Sequence, residues 1–135
     1  MNKALIIFIV YTTICFGIIS WIMNGGWLRI IYLPVFLIHL LLFITINALS
    51  IHFLDSENNK LKILIIISCF SMLITNVVIP DFGDYGGYRV FFGLIKNEDF
   101  INICFKLFPI FIVLHSIICI IQLIVTLKCM KKKKG

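Results

Sequence analysis

Charge is what this sequence lacks. No Asp, Glu, Lys or Arg occurs in residues 4–28, 30–54, 63–80 or 107–127, and charged residues make up 13% of the chain against 61% hydrophobic ones. A soluble globule of 135 residues needs far more polar surface than that, so lipid is the expected solvent. Catalytic signatures are missing as well. There is no G-x-S-x-G, no H-E-x-x-H, no P-loop and no cluster of carboxylates within an apolar run, and no enzyme is expected. The five cysteines (Cys15, Cys69, Cys104, Cys119 and Cys129) are odd in number and form no C-x-x-C pair, which speaks against a disulfide framework or a zinc site. Four of them lie in or beside apolar runs, where cysteine acts as a small hydrophobe. No cofactor is expected on these grounds.

What is there is four apolar runs. A hydrocarbon core of roughly 30 Å takes about 20 helical residues, and backbone groups cannot go unpaired in lipid, so each run is expected to be a helix. The expected spans are residues 4–23, 30–54, 63–79 and 107–127. The first is read as a mature helix and not a signal peptide, because Asn24-Gly25-Gly26-Trp27 offers no small-residue cleavage pattern. The fold class is therefore all-α: an integral membrane four-helix bundle in one transmembrane domain. It has short loops, one longer outer loop at 80–106 and a lysine-rich tail at 128–135.

Orientation follows from the cations. An even number of spans puts Lys3, Lys60, Lys62, Lys128 and Lys131 to Lys134 on one side, and Arg29, Arg89, Lys96 and Lys106 on the other. Positively charged short segments stay in the cytoplasm, so both termini are expected there. The terminal lysines are read first as that anchor, each drawn to anionic lipid by about 1 kcal/mol. The net charge of +6 is thus a consequence of topology, and no nucleic-acid partner is expected. Enrichment in Ile, Phe, Asn and Lys looks like an AT-rich bacterial gene, so a bacterial inner membrane is the expected location. Trp21, Trp27 and Tyr32 sit where amphipathic rings favour the membrane interface.

Two groups of residues are candidates for function. The first is the outer segment, where Asp81, Asp84, Tyr85, Tyr88 and Arg89 combine aromatics, glycines and paired charges outside the hydrocarbon. Loops of this length either recognise something or merely connect. In the second case Arg89 would pair with Asp84, and residues 90–95 would lie along the membrane surface. The carboxylates are too few for a Ca²⁺ site.

The second group lies inside the spans. No ionisable carboxylate or cation is embedded there, so a proton-coupled pump is not expected. His39, Asn47, His115 and Gln122 remain. Helical spacing puts His39, Phe43, Asn47 and Ser50 on one face of the second span, and His115, Cys119, Gln122 and Thr126 on one face of the fourth. The two stripes are expected to face each other as an interhelical polar seam, with Ser68, Ser71 and Thr75 of the third span as small residues permitting close approach. An alternative makes His39 and His115 the axial ligands of a haem in an electron carrier. His52 and Asn76 are expected to reach water or headgroups at the span ends.

In layout the chain resembles the immunity proteins of pore-forming bacteriocins of the colicin type: small, four-span, with cytoplasmic termini, a sizeable outer loop and a lysine-rich end. The resemblance covers the whole chain in organisation and rests on no motif. It implies a non-enzymatic protein whose partner is a membrane-inserted toxin or another membrane protein, met within the bilayer and at the outer segment. A small oligomeric channel or transporter, with the polar stripes lining a pore between copies, is the reading of a different class.

Overall fold

In the computed structural model, residues 2–23, 27–55, 57–82, 88–90 and 94–134 are described, with backbone alone for 23, 27, 28, 81, 82, 88, 89, 133 and 134. The elements are α1 (Lys3–Met23), α2 (Trp27–His52), α3 (Asn59–Val78), the two-residue strands β1 (Asp81–Phe82) and β2 (Tyr88–Arg89), and α4 (Glu98–Lys134). All four helices are long and apolar enough to cross a membrane. The chain is an all-α, multi-pass membrane bundle whose outward faces carry Phe8, Ile22, Ile31, Leu41, Phe70 and Ile110, each more than half exposed.

Asparagine starts three of the helices. The side chains of Asn2, Asn58 and Asn97 accept from the amides of Leu5, Leu61 and Phe100 at 2.8, 3.1 and 3.0 Å, satisfying amides that have no partner inside the helix. Asn97, followed by Glu98 and Asp99 in the first turn, explains why α4 outruns the apolar run 107–127. Capping and favourable dipole charge begin this helix well before the hydrocarbon does. At 1.5 Å per residue its 37 residues reach about 55 Å, well beyond a hydrocarbon core of roughly 30 Å. The expected loop 80–106 is shortened accordingly.

Pro34 and Pro109 lie inside α2 and α4, where neighbouring helices tolerate them. Around the bundle the order is α1, α3, α4, α2: α1 packs on α3 and α2, α4 packs on α3 and α2, and no close backbone approach between α1 and α4 occurs among the described residues. Consecutive helices α2 and α3 are thus diagonal across the bundle. The core toward the termini joins Ile6, Val10, Phe43, Leu61, Ile65 and Met72.

The described part of the connection between α3 and α4 is folded. Asp81 pairs with Arg89 and Phe82 with Tyr88 in antiparallel register, β1 resting on α2 and β2 on α4. Val90 and Ile95 exchange reciprocal backbone hydrogen bonds of 3.1 and 3.2 Å. Val90 is buried with Val78, Ile101 and Cys104, so it does not lie along the membrane surface as the sequence suggested, whereas Leu94 remains exposed.

Candidate functional site: a polar seam and the hairpin above it

The interior polar groups form a chain through α2, α3 and α4. Gln122 Nε2 donates to Asn47 Oδ1 at 3.0 Å and to Ser50 Oγ at 2.9 Å, and Ser50 Oγ lies 2.8 Å from Thr126 Oγ1. Asn47 Nδ2 donates to the carbonyl of Phe43, and Ser68 of α3 reaches Asn47 Oδ1 at 3.4 Å. All five side chains are fully buried. Asn47 and Gln122 therefore meet directly, and the third span joins them through a hydroxyl.

His39 and His115 come together without bonding each other. Their ring centroids are 6.1 Å apart, tilted by 35°. His39 Nδ1 faces the carbonyl of Val35 at 2.9 Å, so this nitrogen carries the proton, and Nε2 faces Ser116 Oγ at 3.1 Å. His115 Nδ1 lies 2.8 Å from Ser71 Oγ, and its Nε2 lies 3.5 Å from Cys119 Sγ. Ser71 also donates to the carbonyl of Ser68, which leaves its oxygen free to accept from His115 Nδ1–H. The imidazoles are therefore hydrogen-bonding links, His39 to α4 and His115 to α3. The cavity beside them, bounded by Trp21, Tyr32, Asn76 and Phe108, has about 20 Å³, enough for one water. A porphyrin does not fit there, and both Nε2 atoms face neighbours of their own. We expect His115→Leu to destabilise the bundle by about 1–2 kcal/mol and His39→Leu by less, about 0.6 kcal/mol, since half-buried His39 exchanges one interhelical bond for lipid contact. Unfolding in mixed micelles of sodium dodecyl sulfate ranks the two.

A second polar knot ties α1 to its neighbours at the hairpin end. Trp21 Nε1 donates to Asn76 Oδ1 at 3.0 Å, and the Trp21 ring stacks on Phe36 at 4.2 Å. Trp21 is therefore not a free interfacial ring. Asn76, expected to reach water, is 2% exposed. The cause is the approach of α1: a Cβ placed on Gly17 would already touch the Asn76 amide nitrogen at 3.4 Å. Arg29, whose cation looked like part of an outer turn, is 3% exposed. It donates to the Ser20 carbonyl at 2.9 Å, and its guanidinium lies 5.4 Å from the Trp21 ring centroid. Tyr32 meets Phe108 edge-on, and His52 is exposed at the far end of α2.

Of the outer-segment candidates, Asp81, Tyr88 and Arg89 stand on the hairpin strands, Asp81 opposite Arg89. Asp84 and Tyr85 lie outside the described residues. Cys69, Cys104 and Cys119 are buried free thiols, and Cys129 accepts from Asn58 Nδ2 at 3.0 Å. No group of three metal-ligating side chains occurs among the described residues.

Fold and site together define a small multi-pass membrane protein whose polar interior is a fastener between helices. Comparison with family models, with curated proteins and with solved structures gave no match.

Proposed function

We propose that this protein is a non-enzymatic binding protein of the bacterial inner membrane that intercepts or protects against a membrane-inserted partner, in the manner of bacteriocin immunity proteins. The observation that carries this reading is the folded outer connection, a hairpin seated on α2 and α4 and anchored by Val90. A backbone seated on two helices is the kind of scaffold on which recognition loops are carried. The interior speaks for the same division of labour. Its amides, imidazoles and hydroxyls engage one another across α2, α3 and α4, so a pore formed between copies along those stripes would have to open the bundle first.

Both termini are assigned to the cytoplasm. Of the four cations on the opposite side, Arg29 is enclosed by protein and bonded to the end of α1, which leaves the cation bias between the exposed segments sharper than the raw count.

Protection is the direct test. Bacteria making the chain are expected to survive the pore-forming protein encoded beside its gene. Replacing Tyr85, Tyr88 and Arg89 by Ala is expected to lower survival at least tenfold while the chain still inserts. Full killing of cells that carry the inserted wild-type chain would end this reading, as would a neighbouring gene whose product has no action on membranes.

A further inference from the structure

Two lipid-facing grooves of nearly equal size flank α1, and they differ in one respect. The groove between α1 and α3, about 410 Å³, is lined by Phe8, Phe16, Leu73 and Val77, with Thr12 and Thr13 donating to the carbonyls of Phe8 and Ile9 on their own helix. It carries no charge. The groove between α1 and α2, about 400 Å³, runs from Ile14 and Ile44 past Tyr11 and Ala48 to Lys3 and His52. Its apolar wall ends in an ammonium and an imidazole.

We propose that the α1–α2 groove holds one anionic phospholipid from the leaflet that meets the two termini, an acyl chain along Ile14, Ile44 and Ala48 and the phosphate against Lys3 and His52. Length supports the assignment. From Lys3 to Ile14 the groove runs roughly 16 Å along α1, about half of a 30 Å hydrocarbon core, the depth of a single leaflet. Polarity runs the same way, since the basic end lies where headgroups of that leaflet lie. Lys3 is exposed and has no hydrogen bond or ion pair among the described residues, and the nearest carboxylates in sequence, Asp55 and Glu57, lie beyond His52 and do not line the groove. Tyr11 is 65% exposed within the span. Helical side chains lean toward the N-terminus, which carries its phenol toward the Lys3 end and the ester region of the lipid. This inference is independent of the immunity reading.

Native mass spectrometry of the full chain released from detergent tests it, with phosphatidylglycerol and phosphatidylcholine of identical chains added in equal amounts. One phosphatidylglycerol is expected to remain bound with about fivefold preference, the scale of one lysine near a headgroup. Lys3→Gln is expected to remove that preference without changing phosphatidylcholine retention. Ala48→Trp, which fills the groove from an exposed position on a different face of α2 from the buried Asn47 and Ser50, is expected to abolish the bound lipid. Phe16→Trp in the uncharged groove serves as the matched control and should leave it intact. Equal retention of both lipids overturns the proposal. So does an Ala48→Trp protein that keeps its phosphatidylglycerol, because the lipid would then sit on the terminal lysines.

Discussion

Asn47→Leu is expected to destabilise the bundle by about 2–3 kcal/mol, and Gln122→Leu by only about 1 kcal/mol, although the two side chains bond each other. The asymmetry follows from what each substitution leaves behind. Gln122 Oε1 is buried without a hydrogen-bond partner among the described residues. Removing Asn47 takes one of the two acceptors from Gln122 Nε2 and leaves a fully buried carboxamide held by Ser50 alone. Removing Gln122 deletes that unpartnered oxygen together with the bonds, so part of the loss is offset. Asn47 Oδ1 then still has Ser68 at 3.4 Å. The double variant Asn47→Leu/Gln122→Leu is expected to lose at most about 1 kcal/mol more than Gln122→Leu, a coupling of about 1–3 kcal/mol between the sites. Any excess in the double variant measures the steric cost of Leu at position 47. Additive losses would mean that the two amides do not meet.

Arg29→Leu is the second large effect, a loss of about 2–3 kcal/mol. Ser20 is one of the last four residues of α1, so its carbonyl has no amide partner within the helix, and the guanidinium supplies one at 2.9 Å. A cation at a helix C-terminus also meets the negative end of the helix dipole. The same guanidinium lies against the Trp21 ring, which itself donates to Asn76 on α3. One residue therefore links the ends of α1, α2 and α3. Arg29→Lys is expected to recover less than half of the loss, because an ammonium has no planar face to lay on the indole while it donates to the carbonyl. In a Trp27→Phe background the fluorescence of Trp21 reports the change, with a shift in emission expected for Arg29→Leu. Unchanged emission with unchanged stability would show that the cation points elsewhere.

The spans were legible because charge-free runs of adequate length leave few alternatives in lipid. Helix ends were less so: α4 continues to Glu98 on the strength of an asparagine cap and two acids, a polar signal that lies outside the hydropathy pattern. Helical spacing put Asn47 and Gln122 on usable faces, yet spacing says which face is polar and not which helix it meets. The part of α3 was hidden for that reason. Ser68 and Ser71, read as small residues for close approach, also serve as hydrogen-bonding partners of Asn47 and His115. Asn76 was misplaced by a depth argument, and nothing in the sequence marked Arg29 as buried. Depth in the bilayer does not reveal whether a neighbouring helix covers a side chain, and the close approach of α1 at Gly17 is a tertiary fact.

Helix order is the claim on which the seam, the knot and the enclosed interior all depend, and cross-linking in native membranes measures it directly. In a cysteine-free background, Ser50→Cys paired with Thr126→Cys joins α2 to α4 at side chains whose oxygens now lie 2.8 Å apart. Mild oxidant or a short thiol-reactive bridge is expected to close this pair within one chain. The pair Phe8→Cys and Ile124→Cys, on helices α1 and α4, whose backbones do not approach each other among the described residues, is expected to stay open. Failure of the first pair to close, or equal closure of the second, would contradict the arrangement.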